Sequence, residues 1–112
     1  MICTLNNKDE FDAKLKEAGS QLVVIDFYAE WCMPCTNLSK WYNELPNQYP
    51  DVIFCKVNTD DAEDLVEEFS IRSIPHILLF KDGNMIKGVN NKEELKKQIE
   101  SLKCAQSFSE TK

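Results

Sequence analysis

The sequence predicts a single α/β domain, and three observations predict it. Short apolar runs rich in β-branched and aromatic residues alternate with segments whose apolar residues recur at helical spacing, the pattern of parallel strands joined by right-handed crossovers. The chain has 112 residues, the length of one domain with a core of its own. Its most apolar run, Leu22-Val23-Val24-Ile25-Asp26-Phe27-Tyr28-Ala29, leads directly into Trp31-Cys32-Met33-Pro34-Cys35. Pro34 suits the first turn of a helix, where its missing N–H would have no partner. The run therefore reads as a buried strand that delivers a cysteine pair to a helix start.

The other elements follow in order. Ile2-Cys3-Thr4-Leu5 is a short strand, and Asn6 or Asn7 caps the helix after it. In that helix Phe11, Leu15 and Ala18 share a face, and Gly19 ends the pattern. The helix starting near Cys32 runs through Leu38, Trp41, Tyr42 and Leu45, and Pro46 kinks it or ends it one residue earlier. Residues 52–57 form a strand with an apolar body, in which Cys55 reads as a small packing residue, a redox role being the alternative. Asn58 or Thr59 then caps a helix over 60–69 whose buried face is Leu65, Val66 and Phe69. A strand over 76–80 meets a returning strand over 84–89 through Asp82-Gly83, which suits a type I′ turn. Asn90 or Asn91 caps the last helix, with Leu95, Ile99 and Leu102 inward and Glu94 and Lys97 paired on the surface. The domain is assigned to residues 1–104, and the Ser- and charge-rich residues 105–112 to a mobile tail that would leave Cys104 an exposed thiol.

Composition narrows the function. A net charge of −6 and a pI of about 4.8 disfavour nucleic acid and anionic membranes as partners. No stretch approaches the ~20 apolar residues of a membrane span, and residues 1–10 read as neither a signal nor a transit peptide. Five cysteines, Cys3, Cys32, Cys35, Cys55 and Cys104, are an odd count, which favours a reducing compartment over a secreted disulfide framework. A cytoplasmic location is the expectation. His76 is the only histidine and one CxxC supplies two ligands, so no metal site is expected.

The chemistry of the cysteine pair follows from its place. A thiolate at a helix N-terminus is stabilised by unpaired backbone N–H groups and the positive end of the helix dipole, which makes Cys32 the candidate nucleophile. Cys35 lies in the first turn, close enough to attack a mixed disulfide formed at Cys32, and is the candidate resolving cysteine. Asp26 is the anomaly in the apolar run, since a buried carboxylate is costly unless paired or neutralised. It is either an acid that exchanges a proton with Cys35 or an Asp at a strand end bonded to backbone.

Phe27-Tyr28-Ala29-Glu30-Trp31-Cys32-Met33-Pro34-Cys35, with Asp26 upstream and Ser73-Ile74-Pro75 downstream, resembles the active-site pattern of the thioredoxin family, and the resemblance covers about residues 1–104. It implies the thioredoxin fold, a central mixed β-sheet flanked by helices on both faces. It implies a protein-disulfide reductase that maintains redox homeostasis through Cys32, Cys35 and the proton-carrying Asp26. It implies no bound cofactor, electrons from NADPH through a thioredoxin reductase, and proteins with disulfides as the other partners. Trp31, Met33, Pro34, Ser73, Ile74 and Pro75 would form the substrate-binding surface, with a cis bond before Pro75 and the backbone of Ile74 pairing with an extended substrate. The chain departs from the family at Lys40, where a proline is usual, at Thr36, often Lys, at His76, usually Thr, and at Met33, usually Gly. Met33 adds no charge beside the thiolate, so the pair is expected on the reducing side, with a wider apolar rim around Cys32. His76 is either a strand residue pairing with its neighbours or an electrostatic influence on Cys32. The chain is expected to be monomeric, with Cys3 or Cys104 able to link a dimer. The competing readings are an oxidase or isomerase of the same fold, which a charged residue inside the CxxC would have favoured, and a binding module using the Trp31–Pro75 surface.

Overall fold

In the computed structural model, five strands form one mixed sheet. The structure describes residues 2–111, and the side chains of residues 2–102. The elements are β1 (Ile2–Thr4), α1 (Lys8–Ala18), β2 (Val23–Tyr28), α2 (Met33–Tyr42), α3 (Leu45–Gln48), β3 (Ile53–Asn58), α4 (Glu63–Glu68), β4 (His76–Lys81), β5 (Asn84–Val89) and α5 (Lys92–Thr111). The strand order is β1-β3-β2-β4-β5. β1, β3 and β2 run parallel, and β4 and β5 add antiparallel. The α/β crossovers supply the parallel part, and the Asp82-Gly83 hairpin supplies an antiparallel part. Both turn residues have positive φ, 55° and 80°, as a type I′ turn requires.

Alternation along each strand sorts the core into two layers. Val24, Phe54, Ile77, Leu79 and Val89 share one face with Leu38 and Tyr42 of α2 and Leu95 and Ile99 of α5. Val23, Ile25, Phe27, Cys55, Val57, Leu78 and Phe80 share the other with Phe11 and Ala18 of α1 and Leu65 of α4. β2 is buried on both faces, which explains its unbroken apolar run. Phe69, beyond the end of α4, packs edge-on against Phe11 and Phe80 at 5.2 to 5.5 Å for the ring pairs Phe11–Phe69, Phe11–Phe80 and Phe69–Phe80.

Two boundaries and one surface pair differ from the sequence reading. The helix after Cys35 stops at Tyr42, and Pro46 sits in the first turn of the separate α3, so the chain breaks ahead of the proline rather than at it. α4 starts only at Glu63: the Asn58 side chain accepts from the Asp60 N–H at 2.9 Å and holds a turn there, and α4 has no side-chain cap. Glu94 pairs with Lys87 of β5 at 3.4 Å and accepts from Gln98 at 3.1 Å instead of joining Lys97 alone. The caps expected at Asn7 and Asn91 are made, to Glu10 N–H at 2.9 Å and Glu94 N–H at 2.8 Å. α5 runs to Thr111; the side chains from residue 103 onward lie outside the described ones, and with them the exposure of Cys104.

Candidate active site

Cys32 is the N-cap of α2. Its backbone is extended, and its sulfur accepts from the Cys35 N–H at 3.2 Å, so one of the orphan donors of the helix start points at the sulfur. Its carbonyl accepts from both the Thr36 N–H at 3.1 Å and the Thr36 hydroxyl at 3.3 Å. Thr36 thus fixes the cap by hydrogen bonds. Cys35 lies on the buried face of α2 with Leu38 and Tyr42. The two cysteines are joined as a disulfide, with Cα atoms 5.2 Å apart. Cys32 is 5% exposed and Cys35 1%, so Cys32 is the sulfur nearer to solvent.

The second chain segment arrives from ahead of β4. The Ile74–Pro75 bond is cis, and the Ile74 carbonyl lies 4.0 Å from the Cys32 sulfur. Ile74 packs with Tyr28 against the small cluster of Ala29, Cys32 and Cys35. Two grooves flank this point. One, of about 700 Å³, is lined by Pro34, Asn37, Leu38, Trp41, Pro75 and the start of α5. The other, of about 290 Å³, is lined by Trp31, Thr59, Val66, Ile71, Arg72, Ser73 and Ile74. Five of the six residues expected to meet substrate therefore line a groove, Pro34 and Pro75 one and Trp31, Ser73 and Ile74 the other. Met33 lines neither and stands 69% exposed between them.

Asp26 is only 2% exposed and is the one buried charged side chain among the described residues. By strand alternation it lies on the face shared with Val24, which α2 covers with Cys35, Leu38 and Tyr42. Its Oδ1 has no hydrogen-bond partner among the described residues. Burial pushes its pKa up to about 7, with the Lys56 ammonium, its register partner on β3, pulling the other way. The strand-end reading with backbone bonding fits poorly: the residue sits in the middle of β2 with an unpartnered oxygen.

Several contributors were not read from the sequence. Asp60 accepts from the Trp31 indole N–H at 3.1 Å and holds an otherwise exposed ring beside the smaller groove. The Tyr42 hydroxyl donates towards the Cys55 carbonyl at 2.7 Å and the Val24 carbonyl at 3.1 Å, tying α2 to β3 and β2. An Asp two residues past a strand and a Tyr on an apolar helix face carry no pattern that announces such pairings. His76 packs over β5: a Cβ on Gly88 would stand 2.9 Å from its Nε2, so the glycine is what lets the ring lie there. Among the described residues, no group of three or more His, Cys, Asp or Glu side chains could hold a metal ion.

A family model described as Thioredoxin matches residues 2–101. Thioredoxin of Gallus gallus is 35% identical over 104 residues, covering 91% of this chain and 99% of that one. Thioredoxin of Geodia cydonium is 38% identical over 104 residues, covering 87% and 98%. The crystal structure of Fasciola hepatica thioredoxin superposes with a TM-score of 0.87 at 27% identity, covering 89% of this chain and 98% of that one. With a cysteine pair at disulfide distance on the matching fold, the chain belongs to the thioredoxin family and is a disulfide oxidoreductase of the dithiol–disulfide reductase type.

Proposed function

We propose that Cys32 attacks the disulfide of a protein substrate and that Cys35 resolves the mixed disulfide so formed. The observation that carries this assignment is the Cys35 N–H directed at the Cys32 sulfur at the start of α2, at 3.2 Å. A donor held there stabilises a thiolate at Cys32 and at no other sulfur of the pair. In the first step the Cys32 thiolate bonds to one substrate sulfur, and the other leaves as a thiolate. In the second, Asp26 takes the Cys35 proton, the Cys35 sulfur bonds to the Cys32 sulfur, and the second substrate thiolate leaves. Two electrons pass from the dithiol to the substrate. A carboxyl with a pKa of about 7, on the face that α2 covers, suits the proton transfer, because near neutrality it both accepts and releases.

The substrate lies across the ridge between the two grooves. Trp31, Ser73 and Ile74 face one arm of it and Pro34 and Pro75 the other, while Met33 meets the substrate on top. The Ile74 carbonyl, beside the Cys32 sulfur, is the backbone acceptor that an extended segment would pair with. The dithiol is restored by a thioredoxin reductase drawing on NADPH, and the chain acts as a monomer in cytoplasmic electron transfer and redox homeostasis. The odd count of five cysteines supports a reducing compartment.

Trapping tests the assignment of roles. Cys35→Ser, mixed with a disulfide-bonded substrate protein, is expected to accumulate a mixed disulfide at Cys32 that dithiothreitol releases. Cys32→Ser is expected to accumulate at least tenfold less; equal trapping at Cys35 would contradict the assignment, and greater trapping there would reverse the roles.

A further inference from the structure

The two described cysteines outside the active pair stand side by side. Cys3 of β1 and Cys55 of β3 are register partners on neighbouring parallel strands, and both pack in the layer that α1 covers. Paired strands run about 4.7–4.9 Å apart, inside the roughly 4.4–6.8 Å range of Cα separations that a disulfide spans. Partners in register on parallel strands carry their side chains on the same face, so both sulfurs lie in that one layer. The Lys14 ammonium of α1, bonded to Glu17 at 2.8 Å, lies close enough to Cys55 to favour its thiolate. A lone cysteine in that strand would be packing; two in register on one face of the sheet, near an ammonium, form a dithiol.

Access differs between the two sulfurs. Cys55 is fully buried, whereas Cys3 is half-buried in a three-residue strand at the edge of the sheet. Burial pushes the Cys55 thiol up to about 12, with contributions from Cys3 and Glu17 in the same direction and from Lys14 against it, so Cys55 keeps its proton. The reaction therefore has an order, starting at Cys3.

We propose that Cys3 and Cys55 form a second dithiol–disulfide couple, oxidised by exchange with a small disulfide such as oxidised glutathione. Cys3 sulfur attacks the small disulfide, one of its halves leaves as a thiol, and a mixed disulfide remains on Cys3. Cys55 sulfur then bonds to Cys3 sulfur, its proton goes to the departing second half, and the small disulfide has gained two electrons and two protons. The product ties the edge strand β1 to β3 through a covalent bond, and a dithiol reagent reverses it. This couple uses neither Cys32 nor Cys35, so it stands apart from the roles proposed for them.

The test uses the full chain carrying Cys32→Ser, Cys35→Ser and Cys104→Ser, which leaves Cys3 and Cys55 as its cysteines. After incubation with oxidised glutathione the protein is unfolded, alkylated with N-ethylmaleimide, cut with trypsin and weighed. The expected product has lost two hydrogens, takes no maleimide and yields peptide 1–8 linked to peptide 41–56. Dithiothreitol restores both thiols. Removing the second sulfur with Cys55→Ala on the same background leaves glutathione on Cys3. The same linked peptides are sought in the unsubstituted chain, which removes any effect of the substitutions on folding. Two alkylated cysteines, or a stable glutathione adduct on Cys3 beside an alkylated Cys55, would overturn the proposal.

Discussion

Asp26 carries the sharpest expectation of any residue. Its carboxyl titrates near the ordinary 3.8 when unfolded and at about 7 when folded, so between those values the native state holds the extra proton. Stability contributed by this group is full below pH 4, falls as the pH rises from about 4 to 7, and is lost above. The shift corresponds to a penalty of roughly 2–4 kcal/mol at pH 8, since each pKa unit is about 1.4 kcal/mol. Asp26→Asn removes the penalty: urea unfolding is expected to show the variant more stable by that order at pH 8 and by little at pH 4. An equal gain at both values would mean that the carboxyl is not neutralised in the fold. The same substitution is expected to slow disulfide exchange about tenfold or more; unchanged exchange rates across pH 6 to 9 would remove Asp26 from the mechanism. Asp26 was legible in the sequence because a carboxylate inside an apolar strand is an exception that burial makes expensive. Cys32 and Cys35 were legible for a similar reason, as their spacing and the preceding strand specify a helix start. Asp60 and the Cys3–Cys55 register pairing were not, because each depends on which strands or loops become neighbours, and single-chain periodicity says nothing of register.

Among the elements, α2 joins the site to the sheet. Its N-terminus supplies the amide that meets Cys32, and its third turn supplies Tyr42, whose hydroxyl reaches two strand carbonyls. Tyr42→Phe leaves the ring packed against Phe54, at 5.7 Å between centroids, and removes only that anchor. It is expected to destabilise the fold by about 1–2 kcal/mol, the range for losing a buried hydrogen bond, measured by denaturant unfolding. No change in midpoint would show that the hydroxyl contributes nothing to holding α2 on the sheet. The cap of α1 is a simpler case: Asn7→Ala is expected to cost about 1 kcal/mol in the same assay. Strands, caps and the hairpin turn were readable because side-chain chemistry acts within a few residues there. The break between α2 and α3 was placed late, since Pro46 fits the first turn of a new helix as readily as it ends an old one. α4 was started early because Asn58 satisfies a turn amide with the same side chain that would cap a helix.

At the scale of the whole molecule, the sheet brings three distant segments to one point: the end of β2 with Cys32, the cis-proline segment before β4, and Asp60 after β3. Among the described residues no helix is long and apolar enough to cross a membrane. Parallel strands with crossovers and the hairpin were legible from strand–helix alternation and the Asp82-Gly83 turn, and family resemblance supplied the mixed sheet with helices on both faces; the strand order was not read. The two grooves were not legible, because a groove is formed by what neighbouring elements leave uncovered. Met33 and Thr36 bring no charge to the cysteine pair, so neither adds to the α2 N-terminus in stabilising the thiolate proposed at Cys32, and a reducing couple is the expectation. The reduction potential of the Cys32–Cys35 couple, measured by equilibrating the protein against dithiothreitol and glutathione buffers of known ratio, tests that directly. A value near ~−270 mV is expected of a dithiol that reduces protein disulfides, and a value of roughly −120 to −180 mV, that of a disulfide donor, would contradict it.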